Sequence, residues 1–136
     1  MLNYYTDKGT IDPSLVDSQA LKVAQQLVVR DSYGKIDQKK SIKSSQLRKF
    51  YGDVKSLELT WSNQQKSDAA FLGILPQIKM LKAKVAYAKG RGVVPQSFVD
   101  WINENVKQID KPNHFKAFLL HFEAVVGFCY GEGLKD

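Results

Sequence analysis

Cysteine is almost missing from this 136-residue sequence, with Cys129 as its one thiol. That excludes an intramolecular disulfide framework and fits a reducing compartment. Long apolar runs are missing too. None reaches the ~18 residues of a membrane span, which removes the membrane from the expected partners. The stretch Met1–Asp7 lacks a basic segment followed by an apolar one, so no secretory signal is read and a soluble, cytoplasmic protein is expected. Histidine is scarce as well. His114 and His121 stand seven residues apart, ~10 Å along one helix face, too far to share one metal ion. The phosphate-loop, nucleophile-elbow and zinc-protease spacings are lacking, and Gly90-Arg91-Gly92 is too short to cradle a phosphate. Cys129 lies among apolar residues with no neighbouring cation to activate it, and the carboxylates are scattered. No enzyme, cofactor or metal site is expected.

What is present suits one folded domain. Hydrophobic residues make up 43% and charged residues 25%, too apolar for disorder, and fifteen aromatics can fill a core without staples. The formal net charge of +6 is uneven: residues 35–91 hold thirteen Lys and Arg against four acids, and the rest of the chain is mildly acidic. A cationic block between acidic ends suits a polyanion, because each cation near a phosphate releases condensed counterions. A solvated face on an unspecialised protein is the plain alternative.

Apolar spacing is helical nearly throughout. Asp12-Pro13 caps and opens a first helix over about 13–30, with Leu15, Val16, Ala20, Val23, Ala24, Leu27 and Val28 on one stripe. Residues 1–12 and the polar stretch 31–41 read as loop or flexible. A second helix runs from Ser41 or Ser44 to about 65, with Leu47, Phe50, Tyr51, Val54, Leu57 and Trp61 inward and Gly52 a weak point. Pro76 predicts an interruption: a short helix over 69–74, then a second segment from 76 to 89 capped by Gly90. Pro95 and Ser97 open the next helix, with Ser97 and Asp100 at capping-box spacing. Lys111-Pro112-Asn113 separates it from a strongly apolar fifth helix over 114–130, placed at the bundle centre or a subunit contact. The prediction is an all-α five-helix bundle in a single domain.

One segment carries chemistry. In 76–91, Lys79, Lys82, Lys84, Lys89 and Arg91 line the outer side of a helix whose Ile78, Leu81 and Val85 turn inward. Its ~20 Å length matches a few nucleotides of one strand. Arg91 is suited to grip a phosphate or stack on a base; Tyr87 could also stack on a base, but a tyrosine on an apolar face is more often core. The second helix adds Lys43, Arg48, Lys49 and Lys55, and the loop adds Lys35, Lys39 and Lys40. Two such helices side by side would merge their cations into one groove.

The run Pro76-Gln-Ile-Lys-Met-Leu-Lys-Ala-Lys-Val-Ala-Tyr-Ala-Lys-Gly-Arg91 resembles the central signature of the small subunit of type III-A CRISPR–Cas (Csm) effector complexes. So do Phe115-Lys-Ala-Phe-Leu-Leu-His-Phe-Glu123 with the residues after it, and Leu47-Arg-Lys-Phe-Tyr51. The resemblance spans about residues 40–130, and none is identified in the first 40. It implies a non-catalytic subunit present in several copies along the interior of a ribonucleoprotein filament, active in antiviral defence. The implied partners are CRISPR RNA and target RNA, the other Csm subunits and further copies of the chain. It carries over basic positions at Lys49, Lys82, Lys84, Lys89 and Arg91; Lys43, Arg48 and Lys79 rest on charge alone. Glu123 matches the family pattern but reads as structural.

Three alternatives remain. A helix-turn-helix DNA-binding protein built on 76–89 and 97–109 would put Asp100 and Glu104, against a lone Lys107, on its recognition helix, where they would repel phosphates. A helical adaptor would use the fifth helix on another protein and leave the lysines to solvent. The small subunit of the related type III-B complex shares the helical, basic character.

Overall fold

The three- and four-residue apolar spacing folds as it reads, into helices that bury their stripes against one another. The computed structural model describes residues 3–136, so the first two residues of the expected 1–12 loop lie outside the described residues. These comprise five α-helices, α1 (Ser18–Leu27), α2 (Ser44–Asn63), α3 (Asp68–Gly90), α4 (Gln96–Gln108) and α5 (Pro112–Gly131), preceded by a 3-10 turn at Pro13–Val16. Among the described residues the only β pairing is two isolated bridges, Tyr5–Ile11 and Arg30–Ile36.

Helix α5 is the axis of the bundle. It packs on α1, α2 and the 3-10 turn, while α3 lies against α2 and α4. Its Phe115, Phe118, Phe122, Val125 and Cys129 are fully buried. An aromatic network ties the helices together: Trp101 of α4 meets Phe122 edge-on at 4.9 Å between centroids, and Phe50 of α2 meets Phe98 of α4 at 5.2 Å. The central position foreseen for this helix is therefore met inside one chain.

Four local expectations are corrected. The first helix is split. Asp12 caps only the 3-10 turn, accepting from the Ser14 amide at 3.0 Å, and the α-helix starts after Asp17. The Leu15 carbonyl is drawn out of the ladder because it bonds the His121 ring at 2.6 Å, and Val16 is left exposed. Pro76 does not interrupt α3, which runs unbroken across it. The amide it lacks would have met the Leu72 carbonyl on the outer face, where Leu72, Gly73 and Pro76 are all exposed and water can take the bond. Gly90 ends α3 but does not cap it. The left-handed residue is Gly92 (φ 76°), with Val93 N–H donating to Ala88 O and Gly92 N–H donating to Lys89 O, the pair of hydrogen bonds that closes a helix C-terminus. Finally, Ser97 and Asp100 form no capping box. Ser97 Oγ donates to Gln26 O, and Asp100 accepts from Gln96.

The segments between helices are tied by short polar bonds. Tyr4 is buried and donates to Asn105 Oδ1 at 2.8 Å, and Asn105 in turn donates to Trp101 O at 2.8 Å. In 31–41, Asp31 Oδ1 accepts from the Tyr33 and Lys35 amides, and Asp37 Oδ1 from those of Lys39 and Lys40.

Candidate nucleic-acid interface

Helices α2 and α3 are antiparallel neighbours, and the turn between them sets their register. Gln65 (φ 61°) and Lys66 (φ 52°) take left-handed backbone angles without being glycine, a conformation costing each about 1 kcal/mol. The turn recovers this through several bonds. Lys66 N–H bonds Trp61 O at 2.9 Å, the Trp61 indole donates to Ser67 O at 3.2 Å, and Ser67 Oγ caps α3 by accepting from Ala70 N–H. The result is a shallow groove with Asp53, Ser56, Leu57 and Thr60 on one wall and Gln77, Leu81 and Lys84 on the other.

The expected cations do not form one row. At roughly 100° per residue, Lys79, Lys82 and Lys89 fall on the flank of α3 toward α4, and Lys84 and Arg91 on the flank toward α2. Contacts confirm the two directions. Lys79 Nζ donates to Val106 O near the end of α4 at 2.7 Å, and Lys84 pairs with Asp53 of α2 at 3.7 Å. Lys49 stands one turn before Asp53 on α2. Lys43 and Arg48 sit apart, near the start of α2, beside Leu134, Lys135 and Asp136.

Partnering separates them further. Lys79 is partly buried, and that burial pushes its pKa below the usual lysine value; it acts as a clamp on the α4 C-terminus. Lys43 donates to Gln38 O at 3.0 Å. Arg48 pairs with Asp136 at 3.4 Å, and the Ser44 hydroxyl above all, then Arg48, holds the Asp136 carboxyl below its usual range. Lys55 pairs with Glu58 at 2.6 Å. Lys49, Lys82, Lys89 and Arg91 are exposed and have no hydrogen-bond or ion-pair partner among the described residues. Tyr87 is not core: it is 69% exposed, with the Arg91 guanidinium 5.8 Å from its ring centroid. Its position two residues past inward Val85 was the available sign, since that step points away from the buried seam.

The histidines, the thiol and Glu123 are held in the fold. His121 is buried; its Nε2 accepts from the Trp101 indole at 3.0 Å and its Nδ1–H donates to Leu15 O. Burial pushes its pKa below 6.5. His114 contacts Asp110 at 3.0 Å. Burial pushes the Cys129 thiol up to about 12, far from a reactive thiolate. Glu123, read as structural, accepts from Tyr51 Oη at 3.3 Å. Among the described residues no three His, Cys, Asp or Glu gather as metal ligands, and no helix is long and apolar enough to cross a membrane.

A family model described as Csm2 Type III-A matches residues 17–131. The chain belongs to that family. Comparisons with curated proteins and with solved structures found no match. The Csm2 family is the small structural subunit of the type III-A Csm effector complex, so the chain is a subunit of an assembly with other proteins. The match begins at residue 17, so family character extends through α1, earlier than the region from about residue 40 in which motifs are visible by eye. The three runs in which the sequence resembles the family fall on three helices: 47–51 on α2, 76–91 on α3 with its exit turn, and 115–123 on α5.

Proposed function

We propose that this Csm2-family chain is a non-catalytic RNA-contacting subunit of a cytoplasmic type III-A effector complex, holding CRISPR RNA and target RNA along the filament in antiviral defence. One observation carries the reading: Lys49 on α2, Lys82 and Lys89 on α3 and Arg91 just past its end stand exposed with no hydrogen-bond or ion-pair partner among the described residues. Cations left without an ion-pair partner are free to displace counterions from phosphates. Lys84 and Arg48 join them by exchanging a carboxylate, half-buried at Asp53 and exposed at Asp136, for a phosphate, since ion pairs near the surface hold little free energy. Lys43 is a peripheral contact and Lys79 serves the fold. A non-catalytic role agrees with a buried thiol and a histidine whose two nitrogens are both engaged. Lysine-rich faces grip backbone and carry little base information, so contact along the RNA is sequence-tolerant.

The test is fluorescence anisotropy of a labelled single-stranded RNA of ~40 nucleotides, at two salt concentrations, with duplex DNA as competitor. Each phosphate neutralised should contribute about −0.7 to the slope of log K against log salt. Lys82→Glu with Lys89→Glu, and separately Lys49→Glu with Arg91→Glu, should weaken binding and flatten that slope while leaving the melting temperature unchanged. Wild-type affinity in both double variants would overturn the reading.

A further inference from the structure

Helix α3 is apolar on two sides. Inward, Phe71, Ile74, Ile78, Leu81 and Val85 are buried. Outward, the positions half a turn away are Ala69, Leu72, Pro76, Met80, Ala83 and Tyr87, every one exposed and none charged. Leu72, Met80 and Tyr87 are 64%, 53% and 69% exposed. Eighteen residues at ~1.5 Å rise make this strip roughly 27 Å long. A surface helix ordinarily turns charge to solvent. Here the charge is displaced to the two flanks, Lys82 and Lys89 on one and Lys84 and Arg91 on the other, so an uncharged strip runs inside a cationic rim.

That pattern selects among polyanions. A duplex offers phosphates and sugars outward and hides its base faces, so it would use the rim and leave the strip wet. A single strand offers both charged phosphates and flat apolar bases, and each base can lie on an aromatic or aliphatic surface while its phosphate meets a flanking cation. Tyr87 is placed for this: it is 69% exposed, and the Arg91 guanidinium, over one face of its ring at 5.8 Å from the centroid, is within reach of an adjoining phosphate while the other face is left for a base. We infer that the outer face of α3 is a stacking platform for unpaired bases, with Tyr87 as its principal stacking residue, so that the chain binds single-stranded RNA in preference to duplex. This inference rests on the RNA-contacting reading above and narrows it to one class of RNA.

Two probes of equal length test it: an unstructured RNA strand carrying one 2-aminopurine, and a blunt RNA duplex, each titrated with wild type, Tyr87→Ala and Tyr87→Phe. The strand should bind at least tenfold more tightly than the duplex, and its 2-aminopurine emission should be quenched on binding. Tyr87→Ala should lower strand affinity about fivefold or more, abolish the quenching and leave duplex affinity unchanged; Tyr87→Phe, which keeps the ring, should behave as wild type. Equal binding of strand and duplex, or an unaffected Tyr87→Ala, would overturn the platform while leaving the RNA reading intact. Binding of neither probe would overturn both. Self-association in sedimentation velocity that Tyr87→Ala and Met80→Ser abolish would reassign the strip to a contact between copies.

Discussion

Lys79 and Lys82 stand three residues apart and look alike as cations, yet they should fail differently when neutralised. The test substitution is Lys79→Met, which keeps the apolar stem and deletes the ammonium. Lys79 Nζ donates to Val106 O at 2.7 Å, and a hydrogen bond from a charged donor contributes about 1.5–3 kcal/mol. A cation at a helix C-terminus adds about 0.3–1 kcal/mol. Against this stands the cost of partly burying the ammonium, visible as a pKa held below the usual lysine value. Val106 O also keeps its bond from the Ile109 amide at 3.2 Å, so the carbonyl is not orphaned. The net loss should be about 1–2 kcal/mol. With about 2.1 cal/mol/K of unfolding entropy per residue, a chain of this length should melt roughly 3–7 °C lower. Lys82→Met should stay within about 0.5 kcal/mol of wild type and lose RNA affinity instead. Circular-dichroism melts and urea titrations of both variants, followed by RNA anisotropy, separate the two roles. If Lys79→Met melts with wild type and loses RNA affinity as Lys82→Met does, the clamp is wrong.

Four further outcomes follow from named contacts. Phe122→Ala empties the fully buried centre of the aromatic network and should cost about 3–5 kcal/mol in urea unfolding, whereas Leu120→Ala, 43% exposed on the same helix, should cost below about 1 kcal/mol. Because burial holds His121 below its usual pKa, the unfolded chain binds a proton that the fold refuses; its contribution is full above about pH 6.5 and is lost as pH falls from there toward the folded value, and an NMR titration of the ring centred at or above 6.5 would refute this. Cys129, wholly buried with its thiol pKa raised, should resist thiol reagents at neutral pH until denaturant is added, and rapid labelling of the native chain would refute its burial. Asp136→Asn should free Arg48 and raise RNA affinity about twofold or more; unchanged anisotropy would remove Arg48 from the interface.

The fold was legible because its cause is local. Phe50, Val54 and Trp61 recur at helical spacing and are buried, as are Phe115, Phe118, Phe122 and Cys129 on α5. What was not legible depended on tertiary partners. The split of the first helix comes from His121 taking the Leu15 carbonyl across 106 residues of sequence. The continuity of α3 through Pro76 comes from that proline facing water, a property of helix placement that a residue's propensity does not contain. Ser97 sits at capping-box spacing but finds Gln26 O on the neighbouring α1.

The candidate site divides along the same line. Charge, spacing and the family resemblance together pointed to Lys43, Arg48, Lys49, Lys79, Lys82, Lys84, Lys89 and Arg91, and the structure sorts them by whether the charged group already has a fixed partner. Lys79 has one in a carbonyl of α4, while Lys84 and Arg48 have carboxylates at Asp53 and Asp136; both acids lie far from their partners in sequence. Seven-residue spacing correctly joined Lys82 to Lys89 and Lys84 to Arg91, but it could not show that the two pairs lie on opposite flanks, because that depends on which helix packs on which side. The strip between them was equally hidden. Tyr87 reads more readily as core than as a stacking residue until α2 and α4 are seen to cover only the inward half of α3, which leaves Leu72, Met80 and Tyr87 exposed. A helix with apolar residues around most of its circumference normally belongs in an interior; one that keeps Leu72, Met80 and Tyr87 in water, between flanks that carry Lys82 and Lys89 on one side and Lys84 and Arg91 on the other, has the form that the proposed stacking of unpaired bases requires.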